Sequence, residues 1–210
     1  AAAYSGLLRL GVSETIAHSW LSTFLKRFQE DVPGVTVELT VDVSVALRKL
    51  LFRGSIDIAF LVGPLPDPAI VNEHLITVPL VWVASLSLGI GKESQLTAAL
   101  TQWPIITYAR NTTPYIEIIN KFAQCSERPA SIITSSSLAI SRRLVLDGMG
   151  ISALPMDLVQ NDLDSGLLHV INTSWCPSDL TFTASYPITP HKPELLPMIA
   201  LAQSVAKLNI

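Results

Sequence analysis

Small hydroxyl side chains stand where apolar stretches of this chain end. Ser13 and Thr15 follow one apolar run, Ser44 follows another, and further small polar groups lie at positions 111–113 and 135–137. Each hydroxyl can accept a free backbone N–H at a helix start, a contact that stabilises a helix by about 1 kcal/mol. If several such turns meet at the carboxyl ends of parallel strands, they instead form a cleft for a small anion.

The chain lacks the residue patterns of the common catalytic chemistries. It contains no G-x-S-x-G nucleophile elbow, no G-x-x-x-x-G-K-[ST] phosphate loop and no H-E-x-x-H zinc motif. Its four histidines are scattered along the sequence. The sequence therefore predicts no catalytic residues, no metal ligands and no cofactor.

The composition favours parallel strands that are covered on both faces. Apolar residues make up 49% of the chain and charged residues only 15%, below the usual quarter. The net charge of −3 argues against a nucleic-acid surface on these residues. No apolar run reaches membrane-spanning length, so we expect a soluble chain without membrane contact. Cys125 and Cys176 are isolated, which predicts two inert thiols and leaves a disulfide open.

Strands and helices alternate along the sequence, which predicts an α/β fold. Apolar residues at spacings of three and four predict one helix from about Ile16 to Phe28, and Ser44 is a plausible N-cap for the next helix. The region 73–85 is either a pair of strands or one strand with a break at Pro79. Further strands are expected at 7–12, 36–41, 56–61, 105–108, 131–134, 151–154, 167–171 and 180–186, and further helices at 45–52, 114–124, 138–147 and 193–208. The opening AAAYSG lacks an initiator Met, which is typical of a piece of a longer chain or of a mature product.

Three stretches in this order resemble the effector-binding domain of LysR-type transcriptional regulators. They are LRLG followed by SETIAHSWLSTFLKRFQEDVPGVTVEL at 8–39, LLFRGSIDIAF at 50–60 and SLAISRRLVLDGMGISALP at 137–155. The resemblance spans about residues 7–208. It implies a type 2 periplasmic-binding-protein-like fold, in which two Rossmann-like lobes are joined by two crossover strands. Lobe I would comprise residues 1–85 and 187–210, and lobe II residues 86–186. The family's N-terminal winged helix-turn-helix domain is absent from this chain.

The same resemblance implies an effector site in the cleft between the lobes. The positions that it places around the effector are Ser13, Glu14, Thr15, Ser44, Tyr108, Asn111, Gly150 and Ile151. Glu14 either complements the dipole of its helix or faces the cleft, where it would favour an amine-bearing effector. Some family members carry an arginine after the third strand, but Leu61-Val62-Gly63 stand here. A dicarboxylate anchored by a cation is therefore disfavoured.

The predicted function is a cytoplasmic small-molecule sensor that binds a small organic anion or an amino-acid-like effector. The resemblance implies a homodimer, a tetramer in the full-length protein, and DNA binding through the missing domain. It also implies an interface between the outer face of the helix at 16–28, including Leu21, and the partner's helix at 138–146. One alternative is a periplasmic solute-binding protein of a transporter. The other is an enzyme such as a deaminase or dehydratase, for which Glu14, Asp42 and Arg110 are the candidate ionisable groups.

Overall fold

The chain folds into two compact units. The computed structural model describes residues 6–91, 102–125, 131–190 and 195–208. Unit 1 comprises Ala1–Thr77 with Leu180–Ile210, and unit 2 comprises Val78–Asp179. The chain therefore passes from one unit to the other twice. These boundaries lie earlier than the expected 85/86 and 186/187, because the strand Leu80–Ser85 belongs to the sheet of unit 2 and the strand Leu180–Pro187 to the sheet of unit 1.

Unit 1 is built on a five-stranded mixed sheet. Its strand order is β2-β1-β3-β10-β4. The elements described in it are β1 (Gly6–Val12), α1 (Glu14–Ala17), α2 (Leu21–Asp31), β2 (Val35–Val41), α3 (Ser44–Phe52), β3 (Ile58–Val62), β4 (Ile70–Val78), β10 (Leu180–Pro187) and α7 (Leu195–Lys207). β1 is parallel to β2 and β3, whereas β10 is antiparallel to β3. The sheet is mixed because a strand from the far end of the sequence inserts beside β3.

The helix predicted from Ile16 to Phe28 is divided in two. α1 ends at Ala17 and α2 begins at Leu21. Between them, the Ser19 hydroxyl donates to the Thr15 carbonyl at 2.9 Å and to the Ile16 carbonyl at 3.3 Å. A serine that bonds its own preceding turn competes with the helical backbone ladder. The apolar spacing continues through the break, so periodicity alone did not reveal it.

Aromatic side chains fill the core between α2 and β3. The rings of Phe24 and Phe60 meet edge to face, with centroids 5.4 Å apart, and Trp20 lies 5.9 Å from Phe60. Trp20 is 1% exposed and therefore packs in the core. Leu21 is also buried, at 5% exposure. The prediction that Leu21 lies on an outer dimerisation face is therefore wrong, because its side chain points into unit 1.

Asp57 ties the beginning of β3 to the middle of β1. Its carboxylate accepts the backbone N–H of Arg9 at 2.9 Å and the Nε–H and Nη2–H of the same residue at 3.2 and 2.8 Å. Arg9 also donates from Nη1 to the Gly54 carbonyl at 2.6 Å. The carboxylate beside it raises the pKa of the Arg9 guanidinium, although burial works against this shift. These contacts give Asp57 a structural role.

Unit 2 contains a three-stranded sheet, a two-stranded sheet and helices. The larger sheet has the order β8-β5-β9, with β5 antiparallel to both neighbours, and β6 pairs with β7 in parallel. The elements are β5 (Leu80–Ser85), a 3₁₀ helix (Leu86–Leu88), β6 (Ile105–Thr107), α4 (Thr113–Cys125), β7 (Ile132–Thr134), α5 (Leu138–Leu146), β8 (Ser152–Pro155), α6 (Met156–Asp164) and β9 (Leu168–Val170).

Both faces of the larger unit 2 sheet are covered, but its strands are antiparallel and not parallel as the apolar composition predicted. Trp82 and Ala84 of β5 pack in one core cluster, whereas Val83 between them packs in another on the opposite face. This alternation is the period of two that a strand imposes on its side chains. Across the described parts of both units, none of the helices combines the length and apolar character needed to cross a membrane.

Candidate functional site

Ser13 and Ser44 are each hydrogen-bonded to the carboxyl-terminal half of β3. The backbone N–H of Ser13 donates to the Phe60 carbonyl at 2.8 Å. Two residues further along β3, the Val62 N–H donates to the Ser44 hydroxyl at 2.9 Å. The two turns that carry these hydroxyl-bearing residues are therefore both held by the end of β3, at residues two positions apart.

Ser44 does not cap its helix. Val43 occupies the N-cap position of α3, and Ser44 is the first helical residue. Its oxygen accepts an N–H from the neighbouring strand instead of one from its own helix. The predicted N-cap role is therefore wrong. A hydroxyl has one proton to donate, and because the Ser44 oxygen is already an acceptor, that proton is left to point at another group.

Ser13 carries a buried hydroxyl without a hydrogen-bond partner. The residue is 5% exposed, and its Oγ contacts neither a donor nor an acceptor within the described part of the chain. Buried polar groups are almost always paired, and leaving one unpaired costs about 1–3 kcal/mol. Thr15 lies two residues further, at 7% exposure. An unpaired hydroxyl at a strand end is a position that a polar ligand can complete.

Glu14 interacts with His18, a pair that the sequence reading missed. The Nε2 of His18 lies 3.3 Å from a Glu14 carboxylate oxygen, and the residues are four apart. The signal was present, because this spacing brings side chains together on a helix. Glu14 also lies in the first turn of α1, where a negative charge complements the helix dipole. Its predicted contact with the effector stays a prediction.

In unit 2, Tyr108 and Thr107 carry buried hydroxyls at the carboxyl end of β6. Neither oxygen has a hydrogen-bond partner among the residues that the structure describes, and Thr107 is only 1% exposed. Burial raises the pKa of the Tyr108 phenol, with a smaller contribution from Cys176. The sequence reading named Tyr108 but missed Thr107, which looked like an ordinary residue of an apolar strand.

Asn111 lies in the loop after β6 with φ of 69°. This left-handed conformation is one that Asn adopts more readily than most side chains. Its neighbour Thr112 closes the turn by donating from both its N–H and its hydroxyl to the Ala109 carbonyl. The Asn111 side chain is exposed. Its role toward an effector stays a prediction.

Gly150 and Ile151 hold two strands together. A Cβ on Gly150 would lie 2.2 Å from the Pro104 carbonyl oxygen, so only glycine fits. Ile151 is fully buried and exchanges backbone hydrogen bonds with Pro104 and Ile106 at 3.0 and 2.8 Å. Both residues therefore pack the β6–β8 junction, and the prediction that they contact an effector stays untested.

Cys176 is a free thiol with little nucleophilic character. It is half-buried and donates to the Leu80 carbonyl at 2.9 Å. Burial first, and the charge of Asp179 second, raise its pKa to about 11. Reactive cysteines have lowered pKa values, because the thiolate is the nucleophile. The side chain of Cys125 lies outside the described residues.

Ligand chemistry at these positions is restricted to hydrogen bonding. Nowhere in the described ranges does a group of three or more His, Cys, Asp or Glu side chains come together to hold a metal ion. In each unit taken by itself, hydroxyls lie at the carboxyl ends of strands, which is where open α/β sheets bind small molecules.

The chain belongs to the LysR substrate binding domain family, which it matches over residues 1–205. Members of this family are effector-binding domains of LysR-type transcriptional regulators, so the predicted family, fold class and non-enzymatic nature are confirmed.

Individual relatives agree with this assignment. The chain is 26% identical over 171 residues to the uncharacterized HTH-type transcriptional regulator YeiE of Escherichia coli K12, covering 80% of this chain and 57% of that protein. The effector-binding domain of QuiR in complex with shikimate is 15% identical with a TM-score of 0.76, covering 99% of this chain and 100% of that one. The regulatory domain of MetR, a LysR family regulator from N. meningitidis, is 16% identical with a TM-score of 0.76, covering 98% of this chain and 95% of that one.

The chain spans about a third to just over a half of the first curated relatives that it matches, from 34% to 57% of their length.

Proposed function

We propose that this chain senses a small organic anion, which binds at the Ser13–Ser44 edge of unit 1. The observation that carries the proposal is the unpaired Ser13 hydroxyl, which is 5% exposed and lies beside the strand that also anchors Ser44. A carboxylate oxygen would accept from this hydroxyl and remove the cost of leaving it unpaired. Thr15 would supply a second hydroxyl.

The donor geometry favours an acceptor group on the ligand. The Ser44 oxygen is occupied by the Val62 N–H, so this hydroxyl is left to donate. Shikimate, the ligand of QuiR, combines one carboxylate with several hydroxyls, which is the chemistry that such a set of groups binds. An amino-acid-like effector could bind in the same way through its carboxylate, with Glu14 facing its amine.

The sensor would act by population shift. Effector binding favours one arrangement of the protein, and the homodimer carries this change to the DNA-binding domains of a cytoplasmic regulator. Those domains would lie outside this chain, as would the contacts that form a tetramer.

A thermal-shift screen of small organic acids, including shikimate and matched amino acids, tests the ligand class. A ligand at a hundred times its dissociation constant stabilises the folded state by about 2.7 kcal/mol. We expect at least one monocarboxylate to raise the melting temperature, and its amide analogue to have no effect. In ¹⁵N-resolved NMR, the acid should shift the amide signals of Ser13 and Val62. Stabilisation by amides as strong as by acids would contradict the proposal.

A further inference from the structure

A cavity lies at the edge of the unit 1 sheet opposite to Ser13 and Ser44. It has a volume of about 600 Å³ and is lined by residues of α3, of the segment before β3, of β4 and of the segment after β10. Ligand pockets are typically about 300–1,000 Å³. Asp57 lies on this wall just before β3, whereas Val62 at the far end of β3 contacts Ser44. At about 3.3 Å per strand residue the two places are roughly 16 Å apart.

The walls of the cavity are apolar, and its rim exposes large side chains. Leu51, Ile70 and Leu195 line it and are buried. Phe52 and Ile188 line it as well, but they are 46% and 48% exposed. When a ligand covers an apolar side chain that is half exposed to water, the free energy falls by about 25 cal/mol per Å² of apolar surface buried.

The polar group in the cavity is an ion pair whose charge is already balanced. Arg9 and Asp57 both line the cavity, and their side chains are 35% and 7% exposed. Three of the five N–H donors of the Arg9 guanidinium are used by Asp57 and the Gly54 carbonyl. Two donors are left for a ligand. Glu38 also acts on Arg9, so the local field does not favour a second carboxylate.

We propose that this cavity binds an uncharged, mostly apolar small molecule that carries one carbonyl or similar acceptor. The apolar body would lie against Phe52 and Ile188, and the acceptor would take an N–H from Arg9. The site is separate from the effector edge and differs from it in ligand class, because Asp57 and Glu38 already offset the charge of Arg9 and leave no net attraction for an anion.

Benzamide and benzoate are matched probes for this site, and their binding can be followed by ¹⁵N-resolved NMR of the 210-residue chain. We expect benzamide to give saturable shifts at the Arg9 Nε–H and at the amides of Gly54 and Ile70. Benzoate should bind there about fivefold more weakly or not at all. Equal binding of both probes overturns the ligand class, and no shift at these three positions overturns the site. If benzoate shifts the amide signals of Ser13 and Val62, it binds at the proposed effector edge, which is a separate site from this cavity.

Two variants, each with a matched control, test whether benzamide binds in this cavity. Ile188→Ser should weaken benzamide binding about fivefold, whereas Ile116→Ser should leave it unchanged. Ile116 is equally exposed, at 48%, but lies on α4 of unit 2. Ala69→Phe should fill the cavity and abolish the shifts, with Ala123→Phe on α4 as its control. Unchanged binding in Ile188→Ser and Ala69→Phe overturns the proposal.

Discussion

At the scale of single residues, Cys176 separates this chain from a thiol-based sensor. Its thiol donates to a backbone carbonyl, and burial raises its pKa to about 11. A raised pKa means that the folded state holds the proton more tightly than the unfolded state. The stability from this group is therefore complete below about pH 9 and is lost as the pH rises toward 11.

The thiolate fraction gives a direct prediction for Cys176. In a Cys125→Ser background, it should react with a disulfide reagent at pH 8 about 100-fold more slowly than an unperturbed thiol, because far less thiolate is present. The rate should rise about tenfold per pH unit until pH 11. The same protein in urea serves as the control and should react at the ordinary rate. Fast labelling of the folded protein at pH 8 would contradict this description of the thiol.

Single residues also show where the sequence was informative. Ser13 and Ser44 could be predicted as candidate site residues, because a small hydroxyl after an apolar run either caps a helix or faces a ligand. The partner of Ser44 was not predictable, since the Val62 N–H that it accepts lies 18 residues away on another strand. Whether the Thr107 hydroxyl finds a hydrogen-bond partner depends on all its neighbours in the folded chain, so the sequence around it could not predict that it has none among the described residues.

At the scale of elements, the junction of β6 and β8 depends on a close backbone approach. Ile151 accepts from Ile106 and donates to Pro104, and Gly150 leaves no room between the strands for a side chain. The sequence contains Gly148-Met149-Gly150, where the first glycine has φ of 71° after α5 and the second is required by packing. The two glycines thus serve different purposes.

Gly150→Ala should destabilise the protein by about 2–3 kcal/mol, because the new methyl group forces β6 away from β8. Chemical denaturation measures this loss. Gly166→Asn is the control, since Gly166 has φ of 67° and open space around it, a conformation that Asn tolerates. The control should lose less than about 1 kcal/mol. Equal effects of the two changes would mean that the close approach is not what restricts position 150.

Most elements followed from the sequence, and the exceptions have physical causes. The strands β1 and β2 and the break at Pro79 are where apolar runs and turn residues placed them. The division between α1 and α2 comes from Ser19, whose competition with the backbone leaves the apolar spacing unchanged. The antiparallel insertion of β10 beside β3 depends on the path of the whole chain.

At the scale of the whole molecule, dimerisation is expected to use α5. Ile140 on this helix is 54% exposed, so its side chain is accessible to a partner chain. Ile140→Asp should shift the sedimentation profile from dimer toward monomer, because it places a charge in the interface. Ile116→Asp, on α4 with a similar exposure, should not. An unchanged profile for Ile140→Asp would exclude α5 from the interface.

The proposed effector site of the whole molecule depends on the Ser13 hydroxyl, which has no hydrogen-bond partner among the described residues. Ser13→Ala removes this hydroxyl, and Ser152→Ala removes another buried, unpaired hydroxyl on β8 of unit 2. Without ligand, neither change should lower the free energy of unfolding, because each deletes an unsatisfied polar group.

Calorimetric titration of these two variants, with the strongest acid from the thermal-shift screen, tests the central claim most directly. Ser13→Ala is predicted to weaken binding about tenfold or more, and Ser152→Ala to bind like the unaltered chain. If Ser13→Ala binds the acid with undiminished affinity, the Ser13–Ser44 edge is not where the effector is held.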